Sequence, residues 1–208
     1  MVGREVRLLK LARSWRIVPV ALVLLTVGAT QPPANAMTRV THRLVGFTFI
    51  PDLARDQGYQ PPAALSELVR RLHPDLVRIP IYWDAVAPTS GSFDFSQVET
   101  LLQTIASSNR RHPTHNTRVI LVVGVRNLGW PEVHLPSWAA TGDSLDLASI
   151  AATGEYLDYL RASFRHFADS PALYAWQVEN EPLDDTNQSL GVVSLAGGVI
   201  ADEVALLK

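Results

Sequence analysis

Apolar and polar residues follow one another along the chain in blocks whose spacing changes repeatedly. Four runs rich in β-branched, aliphatic and aromatic residues predict strands at 44–49, 76–82, 117–125 and 174–178. Between these runs, apolar residues recur at helical spacing. Strands that alternate with helices predict a parallel sheet whose connections are right-handed crossovers.

Residues that start or stop a helix bound the predicted helices. Proline is favoured in the first turn, and the residue before a proline leaves the helical conformation. The connection between 126 and 147 is long for a compact domain, and such connections usually carry function. The expected helices run from Pro61 to His73, from Phe95 through Ile105, from Ile150 to Phe167 and, less regularly because of Gly197-Gly198, from Leu190 to Leu207.

Four strand–helix units predict an α/β fold of the (β/α)8 TIM barrel type, with only about the first four units present. A complete barrel of this type needs about 250 residues, whereas the chain has 208. We therefore expect residues 37–208 to form the N-terminal half of a barrel domain. An open half barrel leaves the edge of its fourth strand unpaired, and such an edge invites self-association.

The first 36 residues differ from the rest of the chain. Four arginines and one lysine precede an apolar run at 17–29, and Ala34-Asn35-Ala36 supplies the small residues of a cleavage site. The apolar run is shorter than the roughly 20 residues that span a bilayer. These features predict a secretory signal peptide over 1–36, cleavage before Met37, and a secreted protein with no membrane attachment. An uncleaved N-terminal anchor is the alternative.

The composition is that of one folded domain, with 47% hydrophobic and 18% charged residues. Without residues 1–36 the chain keeps 13 of its 18 basic and 19 of its 20 acidic residues, a formal charge of −6. We therefore expect no nucleic acid partner. The sequence has no cysteine, which excludes disulfides and thiolate metal sites. Without a His-Glu-x-x-His spacing or a glycine-rich phosphate loop, no metal and no cofactor are predicted.

The candidate for chemistry is the segment Trp-Gln-Val-Glu-Asn-Glu-Pro at 176–182, at the end of the fourth predicted strand. Pro182 cannot donate to a sheet ladder and ends the strand. Active sites of these barrels lie at the carboxyl ends of the strands, so Glu181 is the candidate proton donor. Strand alternation sorts the side chains into two sets, with Trp176 and Val178 toward the helices and Gln177, Glu179 and Glu181 toward the inside of the barrel.

The Asn-Glu-Pro triplet after a strand that contains Trp resembles the acid/base signature of clan A glycoside hydrolases, and in particular of the cellulase-type family five. The resemblance implies a (β/α)8 barrel and a retaining enzyme that hydrolyses O-glycosidic bonds of a β-linked glycan, of the cellulase, mannanase or β-glycosidase type. It also implies that Glu181 is the general acid/base and that Asn180 binds a substrate hydroxyl. A helix-capping or surface carboxylate is the alternative interpretation of Glu181.

The segment Val-Arg-Ile-Pro-Ile-Tyr-Trp at 77–83 resembles the second strand of family five, where an arginine orients the catalytic carboxylates. The resemblance implies this role for Arg78, and we expect Tyr82 among the substrate-binding residues. An arginine that only neutralises Glu179 inside the barrel is an equally open interpretation, because a buried cation needs a partner.

Aromatic side chains stack on the apolar faces of sugars, and three tryptophans map to the rim of the predicted barrel. We expect Trp83, Trp130 and Trp138 to bind an oligosaccharide or polysaccharide substrate, with loop anchoring as the alternative for the last two. Trp176 is expected in the core. The same loop contains two single polar residues that are more often solvated than functional, His134 and Glu132.

The resemblance further implies a second carboxylate, the nucleophile, about 5 Å from the acid. In family five it ends the seventh strand, and the sequence contains no such strand. Glu179 is a poor substitute, because it precedes Glu181 by two residues on the same strand. We therefore expect a fragment that is inactive alone. The alternatives are a sugar-binding half barrel without turnover, closed by a second copy, and an unrelated open α/β protein.

Overall fold

A computed structural model describes residues 43–130, 132–140, 146–184, 195 and 197–208 of the chain. Within them, four parallel strands form one sheet in the order of the sequence. The strands are β1 (Gly46–Thr48), β2 (Leu76–Pro80), β3 (Arg118–Val123) and β4 (Leu173–Val178). The four predicted strands are confirmed, and so is an α/β fold with the sheet of a partial (β/α)8 barrel.

Helices connect the strands, as the alternating pattern predicts. In chain order they are α1 (Pro51–Asp56), α2 (Pro61–Leu72), α3 (Trp83–Val86), α4 (Ser96–Arg111), α5 (Leu147–Ala151), α6 (Gly154–Phe167) and α7 (Gly197–Ala205). The helices expected from Pro61 and from Phe95 are confirmed as α2 and α4. The short helices α1 and α3 have too few turns to show a periodic pattern. In the described part of the chain, no helix is long and apolar enough to cross a membrane.

The helix boundaries follow from local chemistry. Pro61 begins α2, and His73 ends it in the left-handed conformation, with φ of 45°, just before Pro74. The single helix expected from Ile150 to Phe167 is in fact two helices. The side chain of Thr153 accepts a hydrogen bond from the amide of Tyr156 and caps the start of α6.

Two predictions fall wholly or partly outside the described residues. The signal peptide at 1–36 is one of them, and the first part of the helix expected from 190 to 207 is the other. The second part of that helix is confirmed as α7.

The hydrophobic core lies between the sheet and the helices. Alternate residues of the strands face it, including the fully buried Val77, Ile79, Val119 and Leu121. Trp176 packs against Phe164 of α6, with ring centroids 4.9 Å apart, so its expected place toward the helices is confirmed. The helices contribute the fully buried side chains Leu65, Ile105 and Leu160.

The other face of the sheet carries polar side chains that bond to one another. Arg78 donates from Nε to Thr48 Oγ1 across 3.1 Å and from Nη1 to Gln177 Oε1 across 3.0 Å. These bonds link β1, β2 and β4 on the side away from the helices, and they confirm the expected inward position of Gln177. Among the described strands, β1 and β4 are the outer two.

Candidate active site

The chain leaves β4 through a strained turn. Glu179 and Glu181 have backbone φ angles of 62° and 49°, in the left-handed region that residues with a Cβ rarely adopt. Glu132, in the loop after β3, has φ of 69°. In the described ranges, His73 is the one other non-glycine residue in this region. Strain of this kind costs on the order of 1–3 kcal/mol per residue and is typical of functional sites.

The side chain of Glu179 turns toward the helices. Its carboxylate accepts hydrogen bonds from the amides of Val125 and Arg126, at 2.9 and 2.7 Å, and contacts the Tyr156 hydroxyl at 2.8 Å. The prediction that Glu179 lines the inside of the barrel is therefore wrong. The two-residue alternation that placed it there holds only for extended backbone, and the left-handed φ of Glu179 ends it.

Arg78 consequently has a different partner from the one proposed. The hypothesis that Arg78 neutralises Glu179 is wrong, because the two side chains lie on opposite faces of the sheet. In the part of the chain that the structure describes, no carboxylate lies within ion-pair distance of Arg78. Its guanidinium instead holds Gln177, whose Nε2 lies 3.4 Å from Oδ1 of Asn180. Arg78 thus reaches the end of β4 through Gln177.

Asn180 is buried and held on both sides of its backbone. Its amide donates to the carbonyl of Arg126 across 3.0 Å. The side-chain Nε2 of Gln177 donates to the carbonyl of Glu179 across 2.9 Å and to Oδ1 of Asn180 across 3.4 Å. Asn180 is 9% exposed, so its side chain is fixed close to the rim with little surface of its own.

Glu181 is exposed at the rim beside two other carboxylates. Oxygen atoms of Glu132, Glu181 and Asp184 all lie within 4.8 Å of one another. Asp184 also donates its amide to the carbonyl of Glu181 across 3.0 Å, which closes a tight turn. The cluster joins the loops that follow β3 and β4. Three carboxylates at this spacing are close enough to bind a metal cation, but a cationic side chain of the protein already binds two of them.

That cation is Arg126, whose side chain is completely buried. It donates to Glu132 Oε2 across 2.8 Å, to the Asp184 carbonyl across 2.5 Å and to Asp184 Oδ2 across 3.5 Å. Sequence reasoning did not single out Arg126. The available signal was an arginine placed directly after an apolar strand, where burial requires a carboxylate partner. Glu132, expected to be solvated, is one of those partners.

Trp83 lies in the core and has no exposed surface. Its ring stacks on Tyr159 with centroids 5.7 Å apart and meets Trp138 edge-on at 5.6 Å. The prediction that Trp83 binds substrate is therefore wrong, because α3 turns the residue inward immediately after β2. Trp138 donates its indole N–H to the carbonyl of Ala87 across 2.9 Å, the loop-anchoring role given as its alternative.

Two further aromatic residues were expected at the rim, and one of their side chains is exposed while the other is buried. Trp130 is 70% exposed, in the same loop as Glu132. Tyr82 is buried and donates its hydroxyl hydrogen to the carbonyl of Leu128 across 2.7 Å. Burial raises the pKa of Tyr82 above its usual range. Its ring stacks on His134, with centroids 3.8 Å apart, so His134 is a packing residue and is not solvated.

Behind the rim, three more titratable groups were not anticipated as a unit. Tyr156 of α6 contacts both Glu179 and Glu203 of α7. Burial raises the pKa of both carboxyls, and their proximity keeps them from ionising together, while the backbone amides of Val125 and Arg126 act to lower the pKa of Glu179. Burial likewise raises the pKa of Tyr156 well above its usual range. At neutral pH the phenol is therefore neutral.

The sequence matches no known protein family and no curated protein, but the fold is found among solved structures. An exo-β-1,4-mannosidase from Opitutaceae bacterium strain TAV5 aligns with a TM-score of 0.55 and 13% identity over 79% of this chain. The GH5_18 protein from Streptomyces cattleya, in complex with GlcNAc, aligns with a TM-score of 0.53 and 18% identity, also over 79%. This chain therefore has the fold of part of a (β/α)8 barrel.

The similarity is one of fold and covers part of each larger protein. The chain spans 29% of the length of the mannosidase and 41% of the Streptomyces protein. A GH5_18 protein from Bifidobacterium longum subsp. longum ATCC 55813 gives the same result, with a TM-score of 0.53, 17% identity and 39% of its length. The partial (β/α)8 barrel that the resemblance implied is confirmed, and the neighbours in structure include proteins described as GH5_18.

Proposed function

We propose that Glu181 is the general acid/base of a secreted retaining glycoside hydrolase, and that this chain supplies the acid/base half of its barrel. The observation that carries the proposal is the position of Glu181. Its exposed carboxylate stands at the carboxyl end of β4, next to the fixed side chain of Asn180. Substrates and catalytic groups of (β/α)8 enzymes meet at this end of the strands.

The proposed reaction gives each of these residues a task. Glu181 protonates the glycosidic oxygen as the leaving group departs and then removes a proton from the water that releases the sugar. Asn180 binds a sugar hydroxyl, an interaction that can strengthen in the transition state. Arg78 acts indirectly in this scheme, because it orients Gln177 and through it Asn180.

The nucleophile is proposed to come from the half of the barrel that lies beyond these four strands. Oxygen atoms of Glu132 and Asp184 lie within 4.8 Å of Glu181, which is close enough for a nucleophile. However, Glu132 follows β3, the strand beside β4, and Asp184 follows β4 itself. A nucleophile must attack from the opposite face of the sugar ring. Both carboxylates are also engaged by Arg126, which suits a supporting role for them.

The neighbours in structure suggest which substrates to try first. One of them is an exo-β-1,4-mannosidase, so β-linked mannosides stand beside cello-oligosaccharides as the first substrates to test. The exposed ring of Trp130 is proposed as the sugar platform of the rim.

The test uses the full-length protein with Glu181→Gln and compares two classes of substrate. We expect a large loss of kcat on glycosides with poor leaving groups and a much smaller loss on activated aryl glycosides, which need no protonation. Glu155→Gln, at an exposed site in the first turn of α6, is the matched control and should leave both activities unchanged. Equal losses on both substrate classes would show that Glu181 is not the acid.

Secretion is proposed from the N-terminal sequence alone and has its own test. The N-terminal residue of the exported protein, read by mass spectrometry, should be Met37. A mature protein that still begins at residue 1 would favour the uncleaved anchor.

A second candidate function, sugar binding without turnover, is favoured by the exposure of Trp130. Calorimetry of the chain with cello- and manno-oligosaccharides should then show binding that Trp130→Ala abolishes. Tyr59→Ala provides the control, because Tyr59 is similarly exposed, at 65%, but lies after α1. No heat at millimolar sugar concentration would rule this function out.

A further inference from the structure

Three buried titratable side chains from different elements meet behind the rim. The hydroxyl of Tyr156 lies 2.8 Å from Oε1 of Glu179 and 2.7 Å from Oε1 of Glu203. The exposed fractions of the three residues are 0%, 2% and 1%. Tyr156 belongs to α6, Glu203 to α7 and Glu179 to the turn after β4, so the contact joins both helices to the rim.

The number of hydrogen atoms available for the two contacts of the Tyr156 hydroxyl determines whether a carboxyl is protonated. A tyrosine hydroxyl has one hydrogen and can donate it to one carboxylate only. If both carboxyls were ionised, one of the two short contacts would set lone pairs against lone pairs in a buried place. Both distances are those of hydrogen bonds, so one carboxyl must carry a proton and donate it to the Tyr156 oxygen.

The surroundings of the two carboxyls differ and indicate where this proton is. Glu179 already accepts from the amides of Val125 and Arg126, one on each oxygen, and such bonds favour the ionised form. Glu203 accepts from no backbone amide in the described part of the chain. Apart from Tyr156, its side chain contacts Glu179 itself, and its Oε2 is buried without a hydrogen-bond partner. The neutral form of Glu203 therefore costs less than that of Glu179.

We propose that Glu203 is protonated and donates to Tyr156, that Tyr156 donates to an ionised Glu179, and that this relay fastens α7 to the turn that holds Asn180 and Glu181. The relay stands on these contacts alone and holds whether or not the protein is a glycosidase. It reaches the rim directly, because the Arg126 amide bonded to Glu179 belongs to the residue whose carbonyl accepts from Asn180.

Among the described residues, the other titratable groups around the relay do not supply a cation to replace the proton. Tyr159 lies beside it on α6, Asp202 precedes Glu203 on α7, and Asp84 acts from α3 on Tyr159. Arg126 contributes its backbone amide, while its guanidinium binds Glu132 on the rim. Loss of the proton would leave Glu179 and Glu203 both ionised and facing each other across a neutral phenol.

Opening of this contact must then release one proton. Once α7 detaches, Glu203 becomes an ordinary exposed carboxyl that is ionised above about pH 5. Glu203 therefore stabilises the closed form most at low pH. The equilibrium constant for detachment of α7 rises about tenfold per pH unit between about pH 5 and the pKa of Glu203 in the folded protein. Above that pKa it no longer changes with pH.

The test is hydrogen exchange of the protein, read as protection factors of the Val125 and Arg126 amides and of the amides of α7. In the parent protein these factors should fall about tenfold per pH unit above pH 5. In Glu203→Gln they should be independent of pH, because the amide N–H of glutamine donates to Tyr156 permanently. A parent protein as independent of pH as this variant, or a variant with the same slope as the parent, would overturn the relay.

Glu179→Gln is the second variant and tests the position of the proton. Its amide group would set a donor against a backbone N–H, so we expect a Tm lower by about 3–10 °C at every pH. Glu203→Gln should fold with a Tm at least equal to that of the parent near neutral pH. The opposite ranking, or a Glu203→Gln protein that does not fold, would place the proton on Glu179 and contradict the proposal.

Discussion

Arg126 donates to the carboxylate of Glu132 across 2.8 Å, while its own side chain is withdrawn completely from solvent. The same guanidinium binds the carbonyl and the carboxylate of Asp184. A buried cation thus links the loop after β3 to the turn after β4, with Glu181 on the exposed side of both. This one side chain is therefore a main link between the two segments of the rim.

The first prediction concerns that side chain. Arg126→Met should lower the free energy of unfolding by about 3–5 kcal/mol, because removal of one partner leaves the carboxylates of Glu132 and Asp184 without their buried cation. Urea denaturation, followed by tryptophan fluorescence, measures the change.

The matched control for Arg126 is an arginine whose ion pair is exposed. Arg161 pairs with Asp158 across 3.0 Å, and the two side chains are 41% and 67% exposed. Arg161→Met should change the free energy of unfolding by less than about 1 kcal/mol. Similar losses for the two variants would mean that the Arg126 pairs add no more than a surface contact.

The second prediction concerns Gly124, which lies directly against the carboxyl group of Glu179. A Cβ at this position would overlap the carboxyl carbon and both its oxygens, and the backbone φ of 133° is itself unsuited to other residues. Gly124→Ala should therefore cost roughly 3 kcal/mol or more, the sum of overpacking and backbone strain. Thermal denaturation should show the loss as a lower Tm.

Gly154→Ala is the control for Gly124→Ala. A Cβ at Gly154 meets no atom within 4 Å, and the residue begins α6. The change should be neutral or should stabilise the protein by about 0.4–1 kcal/mol, since alanine restricts the unfolded chain. If Gly124→Ala were equally harmless, Glu179 would have to occupy another position than the one described.

The sequence was sufficient to predict the sheet, because apolar runs at strand length alternate with amphipathic helices. It was also sufficient to place Gln177 and Trp176 on opposite faces of β4, since the backbone there is extended. It failed one residue after the strand. The sequence gives no sign that this glutamate adopts a left-handed φ. The alternation of side chains along β4 was therefore extended one residue beyond the strand, and Glu179 was assigned to the wrong face.

The candidate site shows the same division between local and tertiary information. Glu181 and Asn180 are candidates from a short motif at a strand end, and the structure places both directly after β4. The partners of Arg126 could not be deduced, because Glu132 and Asp184 lie six and 58 residues further along the chain. Trp83 was misplaced for a related reason, since a four-residue helix that turns it inward leaves no periodic signal.

The third prediction separates the two tryptophans that sequence reasoning had grouped together. Trp83→Ala should lower the free energy of unfolding by about 3–5 kcal/mol, the cost of emptying a buried aromatic site. Trp130→Ala should change it by less than about 0.5 kcal/mol, because the ring is 70% exposed. Urea denaturation of both variants makes the comparison, and a large loss for Trp130→Ala would show that this ring packs in the folded protein.

The fourth prediction concerns Asn127, which is fully buried and joins the ends of two strands. Its Nδ2 donates to the carbonyls of Ile81 and Val122, at 3.0 and 3.1 Å, and its Oδ1 accepts from the amide of Leu128 at 2.8 Å. Asn127→Asp keeps the size of the side chain but sets an oxygen against two carbonyl oxygens. We expect a loss of about 3 kcal/mol or more at pH 7.

The effect of Asn127→Asp should depend on pH. Burial disfavours the ionised carboxylate, and only the protonated carboxyl can donate to one of the two carbonyls. Both effects raise the pKa of the new carboxyl in the folded state above its value in the unfolded state. The variant is then closest to the parent protein below pH 4 and falls behind it as the pH rises. Asn109→Asp, at a half-buried amide that donates to the Thr117 carbonyl across 2.8 Å, is the control and should lose less than half as much. Equal losses, or a loss at Asn127 that does not change between pH 4 and 7, would contradict the assignment of Asn127 as a donor to both strand ends.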